Sequence, residues 1–175
     1  MSTTLTYGIY LALANIGLTL VGFFLGYQGE NIAQGQWFQY VTWVAIIVVT
    51  TLGIRAVRED SAHKSLSYGR GVGSAAMIGL YAGLIGGIYA FVHFKFINPS
   101  FVDYLIEFIK SQPNMAGATD QALAGMEQGV RLTYSPVGLL ILSLFMTTLI
   151  CTIVGLIASI FLKRPAPEGT ELPPM

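Results

Sequence analysis

Four long apolar runs, Leu5–Tyr27, Trp37–Ile54, Gly71–Phe94 and Pro136–Leu162, alternate with polar breaks along the chain. Crossing the hydrocarbon core of a bilayer takes roughly 17–25 residues of helix, and each run is near that length. None holds an Asp, Glu, Lys or Arg. Backbone polar groups in lipid must be satisfied within the segment, which favours helix over strand. A barrel would instead show alternating segments of about 10 residues, and these runs do not alternate. The pattern predicts an all-α integral membrane bundle of four transmembrane helices.

Between the third and fourth runs, residues 95–135 break the rule of short connections. Asn98-Pro99 pairs a residue favoured as a helix N-cap with one tolerated at the first helical position. Phe101, Leu105, Phe108 and Ile109 then recur at helical spacing, while Asp103, Glu107, Lys110 and Ser111 share the opposite face. This spacing predicts an amphipathic interfacial helix ending near Pro113-Asn114, with Phe101, Leu105 and Phe108 holding it against lipid or the bundle ends. A second helix is expected from Thr119 to Arg131, capped by Thr119. The chain therefore divides into a membrane domain over residues 1–164 and a proline-rich tail, 165–175, expected to be disordered.

Composition agrees with lipid as the main partner. Hydrophobic residues make up 54% of the chain and charged ones 10%, against roughly 25% charged in soluble domains, and the mean hydropathy is +0.65. The net charge is zero and no basic patch forms, so nucleic acid is not an expected partner. Arg55, Arg58, Lys64, Arg70, Lys163 and Arg164 lie on one side of the spans, and only Lys95, Lys110 and Arg131 on the other. By the positive-inside rule both termini are expected in the cytoplasm and the amphipathic helix on the opposite, non-cytoplasmic side. No Lys or Arg precedes the first run, which also exceeds a signal-peptide core, so it is read as a retained span. A single cysteine, Cys151, rules out an internal disulfide or a thiolate cluster, and His63 and His93 lack metal-ligand spacing. No metal or cofactor is expected.

Small residues recur every four positions in the third run at Gly71, Ala75, Gly79, Gly83 and Gly87. The fourth run does the same at Ser143, Thr147, Cys151, Gly155 and Ser159. Such rows let helix backbones approach closely. They serve either a homodimer face or packing between the two runs of one chain, and the general frequency of glycine in membrane helices favours the second. Gly71 to Ala76 also fits G-x-G-x-x-A, but that fingerprint requires a strand before it, and here a charged loop precedes a span. Asn15 and Thr19 share a face of the first run and are suited to interhelical hydrogen bonds or to lining a solute path. Trp37, Tyr40 and Trp43 read as an interfacial belt. Tyr89, His93, Lys95, Asn98 and Asp103 gather near the end of the third run. That set suits either a small-anion or proton-relay site, or a helix end anchored at the headgroups.

The passage from Tyr89 to Asp103, with Asn98-Pro99 at its centre, resembles a bacterial family called domain of unknown function 4199. Leu66-Ser67-Tyr68-Gly69, just before the third run, matches a second feature of that family. The resemblance implies four spans, a bacterial inner-membrane location and no known catalytic residues. With helix-packing devices abundant and no assembled catalytic set, the chain is expected to be a non-enzymatic structural or accessory subunit, in a homo-oligomer or a larger complex. The alternative is a small transporter or channel component using Asn15 and Thr19. A third reading is a membrane enzyme using His93 and Asp103.

Overall fold

The computed structural model describes residues 1–166. Six α-helices follow one another: α1 (Thr3–Phe24), α2 (Phe38–Glu59), α3 (Tyr68–Val92), α4 (Phe101–Lys110), α5 (Asp120–Thr133) and α6 (Pro136–Leu162). Four are long and apolar enough to cross a membrane: α1, α2 with the tight turn from Gln34, α3 continued to Ile97, and α6. At about 1.5 Å per residue, the 22 residues of α1 reach roughly 33 Å, enough for a hydrocarbon core of about 30 Å. The expected tail lies, from residue 167 on, outside the described residues.

Local chemistry sets most helix starts. Ser2, Ser67, Thr119 and Ser135 each accept a backbone N–H of the first turn, at Leu5, Arg70, Ala122 and Gly138 respectively. Pro136 follows Ser135 at a position where its missing N–H costs nothing. Helix ends depart from the apolar runs where helix and hydrophobicity part company. α1 stops at Phe24 rather than Tyr27, because Gly26 turns the chain with φ 76°, a conformation glycine adopts freely. In the other direction, α2 continues past Ile54 through Arg55 and Arg58 to Glu59, since a helix has no reason to end where lipid does.

The third long helix is the hub. Its small-residue row meets that of α6 in antiparallel register: Gly71 faces Ser159, Ala75 faces Gly155, Gly79 faces Cys151 and Gly87 faces Ser143. The fit is tight. A β-carbon on Gly83 would lie 2.8 Å from the α-carbon of Leu144, and one on Gly79 2.8 Å from that of Thr148. On the far side α1 approaches through Gly8, where a β-carbon would meet that of Tyr81 at 2.6 Å. Leu11, Ala12, Ile46, Ile78, Ala82 and Cys151 form the buried centre, and the Thr50 hydroxyl donates to Cys151 Sγ at 3.4 Å. At the end rich in Arg, Leu66 and Arg164 exchange backbone hydrogen bonds and close the chain.

α4 and α5 cover the other end. The buried Phe101 stacks on Phe94 with ring centres 4.7 Å apart, and Tyr134 meets both rings edge-on. Phe101, Leu105 and Phe108 thus face the bundle, lining a recess shared with Gly22 and Phe38. The polar face of α4 pairs with α5: Arg131 bridges Asp103 and Glu127, each at 3.0 Å, and Lys110 reaches Glu127 at 3.1 Å.

One local expectation is corrected here. Asn98 does break the helix, with φ −132° and ψ 67°, but it does not cap α4 through its side chain. The new helix begins at Phe101, preceded by Ser100, with no side-chain cap. Pro99 occupies a turn instead of a first helical position. The Asn98 amide is committed elsewhere, as a donor.

Candidate functional site

The polar groups of the bundle's α4–α5 end converge on His93, which is fully buried. Beyond Val92 the chain loosens into a π-helical turn, His93–Ile97, closed by the Asn98 N–H donating to the His93 carbonyl at 2.8 Å. Tyr89 lies one turn before His93 on the same face, a neighbour relation that i,i+4 spacing creates. Its hydroxyl is 3.0 Å from His93 Nδ1. On the other side of the ring, Nε2 is 2.7 Å from Gln28 Oε1.

Gln28 is placed by the turn after α1, which brings its side chain back toward the bundle. Its Nε2 donates to the Thr19 carbonyl at 2.9 Å, and its own backbone carbonyl accepts from Asn98 Nδ2 at 3.0 Å. These bonds determine the protons. With Gln28 Nε2 used as a donor, Oε1 is the acceptor, so His93 Nε2 carries hydrogen and Nδ1 accepts from Tyr89. Phe23 and Phe94 stand edge-on to the ring at 5.6 and 5.0 Å. Both nitrogens are thereby occupied inside an apolar box. A histidine so held ties the turn after α1 to the end of α3 through both ring nitrogens.

Several residues grouped by sequence are parted in space. Lys95 is exposed and makes no ion pair among the described residues. Asp103 is engaged by Arg131 on the α4–α5 clasp. Within that clasp, Arg131 and then Lys110 hold the Glu127 carboxyl below its usual range, and Glu127 followed by Asp103 raises Arg131. Burial raises the Tyr134 phenol beside it. Cys151, Gly155 and Ser159 are buried against α3.

Asn15 and Thr19 do lie on one face, yet neither side chain bonds to another helix. The Thr19 hydroxyl donates to the Asn15 backbone carbonyl at 2.8 Å, and Asn15 Oδ1 is buried with no donor among the described residues. Leaving such a group unmatched costs about 1–3 kcal/mol. Asn15 borders a recess of about 250 Å³ between α1 and α6 over α3, shared with Thr19, Gln28, Tyr89, Ser143 and Thr147. A second recess, about 410 Å³, lies beneath α4. Gln28 and Thr19 line both.

Gln28 is the residue that sequence reasoning missed. A polar residue just past a span gives no hint of its partner. Only the i,i+4 pair Tyr89 and His93 offered a signal, and it named one side of the ring.

The sequence pattern of a family described as protein of unknown function (DUF4199) matches residues 6–164. No curated protein and no solved structure matches the chain. The match runs from the first turns of α1 past the end of α6 and takes in Gln28, Tyr89, His93 and Asn98, so the chain belongs to this family.

Proposed function

We propose that this chain is a non-enzymatic accessory protein of a bacterial inner membrane, with both termini in the cytoplasm, working in a homo-oligomer or as a subunit of a larger complex. The saturation of His93 carries this reading: Tyr89 and Gln28 occupy both ring nitrogens, so the residue best suited to acid–base work acts as a tie. Asp103, which an enzymatic reading would pair with it, is taken by Arg131. Because the α3 and α6 rows are spent on each other, a partner would meet a different surface. The outward face of α2 offers one, with Tyr40, Trp43, Val44, Ile47 and Val48 exposed. Extraction of the tagged chain from native membranes in a mild detergent tests the proposal. A fixed-stoichiometry assembly, of this chain or with others, is expected; a monomer at every protein concentration contradicts it.

The second reading, a small transporter component, is favoured by the unmatched Asn15 beside its recess. Solute flux through reconstituted vesicles, abolished by Asn15→Leu, would select it over the first.

A further inference from the structure

We infer that the basic rim at the Arg-rich end of the bundle, made by Arg55, Arg70, Lys163 and Arg164, binds the headgroup phosphates of anionic phospholipids. The inference is independent of the accessory reading, since a subunit and a lone protein sit in the same lipid, and it holds for either leaflet.

Side-chain pairing leaves this end with uncompensated positive charge. Its acids are already engaged: Glu59 by Arg58 at 2.8 Å and Lys64 at 3.4 Å, and Asp60 by the Thr3 hydroxyl. Arg55, Arg70, Lys163 and Arg164 are exposed and form no ion pair among the described residues. The opposite end has the reverse balance. There Arg131 and Lys110 are spent on Asp103 and Glu127. Glu30, Glu107 and Asp120 join Lys95 in forming no ion pair among the described residues, so acids outnumber cations in what remains.

The fold gathers the four cations around one seam. Ile54, Val57, Leu66 and Ala75 form a buried cluster, with Ala158 and Leu162 packed against it. Arg55 lies between Ile54 and Val57 in the chain, and Lys163 follows Leu162. Arg164 exchanges two backbone hydrogen bonds with Leu66. Arg70 precedes Gly71, where a β-carbon would meet the Ser159 side chain and, at 3.4 Å, that of Leu66. Depth then selects a lipid over a free phosphate. Leu52 and Ile160, exposed and apolar, stand one turn deeper on the faces of Arg55 and Lys163. A phospholipid matches both parts, with acyl chain along these side chains and phosphate against the cations. Lys and Arg clusters at the ends of spans attract anionic lipid by about fivefold in affinity per cation.

Native mass spectrometry of the full chain in micelles, titrated with dioleoyl phosphatidylglycerol or dioleoyl phosphatidylcholine, tests this by counting bound lipid. The full chain includes Glu168 and Glu171, so any competition from them is present throughout. Phosphatidylglycerol should bind at least about tenfold more tightly than phosphatidylcholine, and the preference should shrink as salt is raised. Arg70→Gln, Lys163→Gln and Arg164→Gln should each weaken phosphatidylglycerol binding about fivefold. Arg70→Lys should retain it, and Lys95→Gln, at the other end, should change nothing. Equal affinity for the two lipids would overturn the inference. So would a preference that survives when all four cations are changed to glutamine, or one that falls as far in Lys95→Gln. Glycerol 3-phosphate binding as tightly as the lipid would make the rim a site for a soluble phosphate, and would overturn it too.

Discussion

The side-chain amide of Asn98 donates to the backbone carbonyl of Gln28 at 3.0 Å, joining positions 70 residues apart. Because Gln28 also bonds His93 and Thr19, this one contact fastens the α1–α2 connection to the far end of α3. The helix break at Asn98 and the placement of Gln28 are thus two results of one arrangement. Removing the donor at residue 98 should loosen both. Asn98→Ala is expected to cost about 1–3 kcal/mol, the range for a buried carbonyl left unmatched. Asn98→Asp discriminates between roles. An aspartate would serve well as an N-cap acceptor, but it cannot donate to Gln28 and should be at least as damaging as alanine. Denaturant or thermal unfolding of the two variants decides the matter, and a stable Asn98→Asp protein would restore the capping role.

Packing between α3 and α6 has an internal control. Gly83 leaves 2.8 Å between an added β-carbon and the Leu144 backbone, whereas nothing lies within 4 Å of one at Gly73 on the same helix. Gly83→Ile should destabilise by at least the ~1–3 kcal/mol typical of overpacking, because backbone cannot step aside as a side chain does. Gly73→Ile should be mild. Equal Tm values for the two variants in detergent would show that the helices do not touch at Gly83.

The clasp between α4 and α5 should respond to acid. Arg131 and Lys110 hold Glu127 low, so the folded form favours the ionised carboxyl. The stability this contributes is complete above the ordinary carboxylate pKa and is lost as pH falls through the lower folded value. Amide exchange in Asp120–Thr133, corrected for intrinsic rates, should therefore stay slow near neutrality and accelerate only below about pH 4. Glu127→Gln should flatten that acid dependence. Acceleration beginning instead as pH rises through neutrality would have the wrong sign.

Much of this fold was legible in the sequence. Length and apolarity suffice for the four long helices, and the fourth apolar run, Pro136–Leu162, coincides with α6 at both ends. Spacing by four picked out the two rows that meet. The remainder depends on distance along the chain. Hydropathy marks where lipid ends, and so missed the continuation of α2 into Arg55 and Arg58. Asn98 looked like a cap because caps are local, while its actual partner is a carbonyl in another loop. Gln28 was indistinguishable from any loop glutamine until Gly26 turned it toward His93. The charges on α4 looked like a solvated face because α5, which neutralises them, is bound through side chains whose register no periodicity specifies.

Orientation in the bilayer has a direct chemical test. In a Cys151→Ser background, a cysteine at Gln34 or Asn114 is expected to react with an impermeant thiol reagent in cells whose outer membrane has been made permeable. One at Ser65 should react only once the cytoplasm is opened. Labelling of position 65 from outside would reverse the proposed topology.

His93 as a structural tie, with Tyr89 donating to Nδ1 and Nε2 donating to Gln28, is the claim on which the non-enzymatic reading rests. Nitrogen-15 NMR of imidazole-labelled protein in lipid nanodiscs observes it directly, with His63→Gln removing the other histidine signal. The expected spectrum places hydrogen on Nε2 and a hydrogen-bonded, unprotonated nitrogen at Nδ1, unchanged when bulk pH is varied about neutrality. In Tyr89→Phe the Nδ1 resonance alone should move strongly, as its donor is lost. A proton found on Nδ1 in the unmodified chain, or a ring that exchanges freely with solvent, would contradict the account.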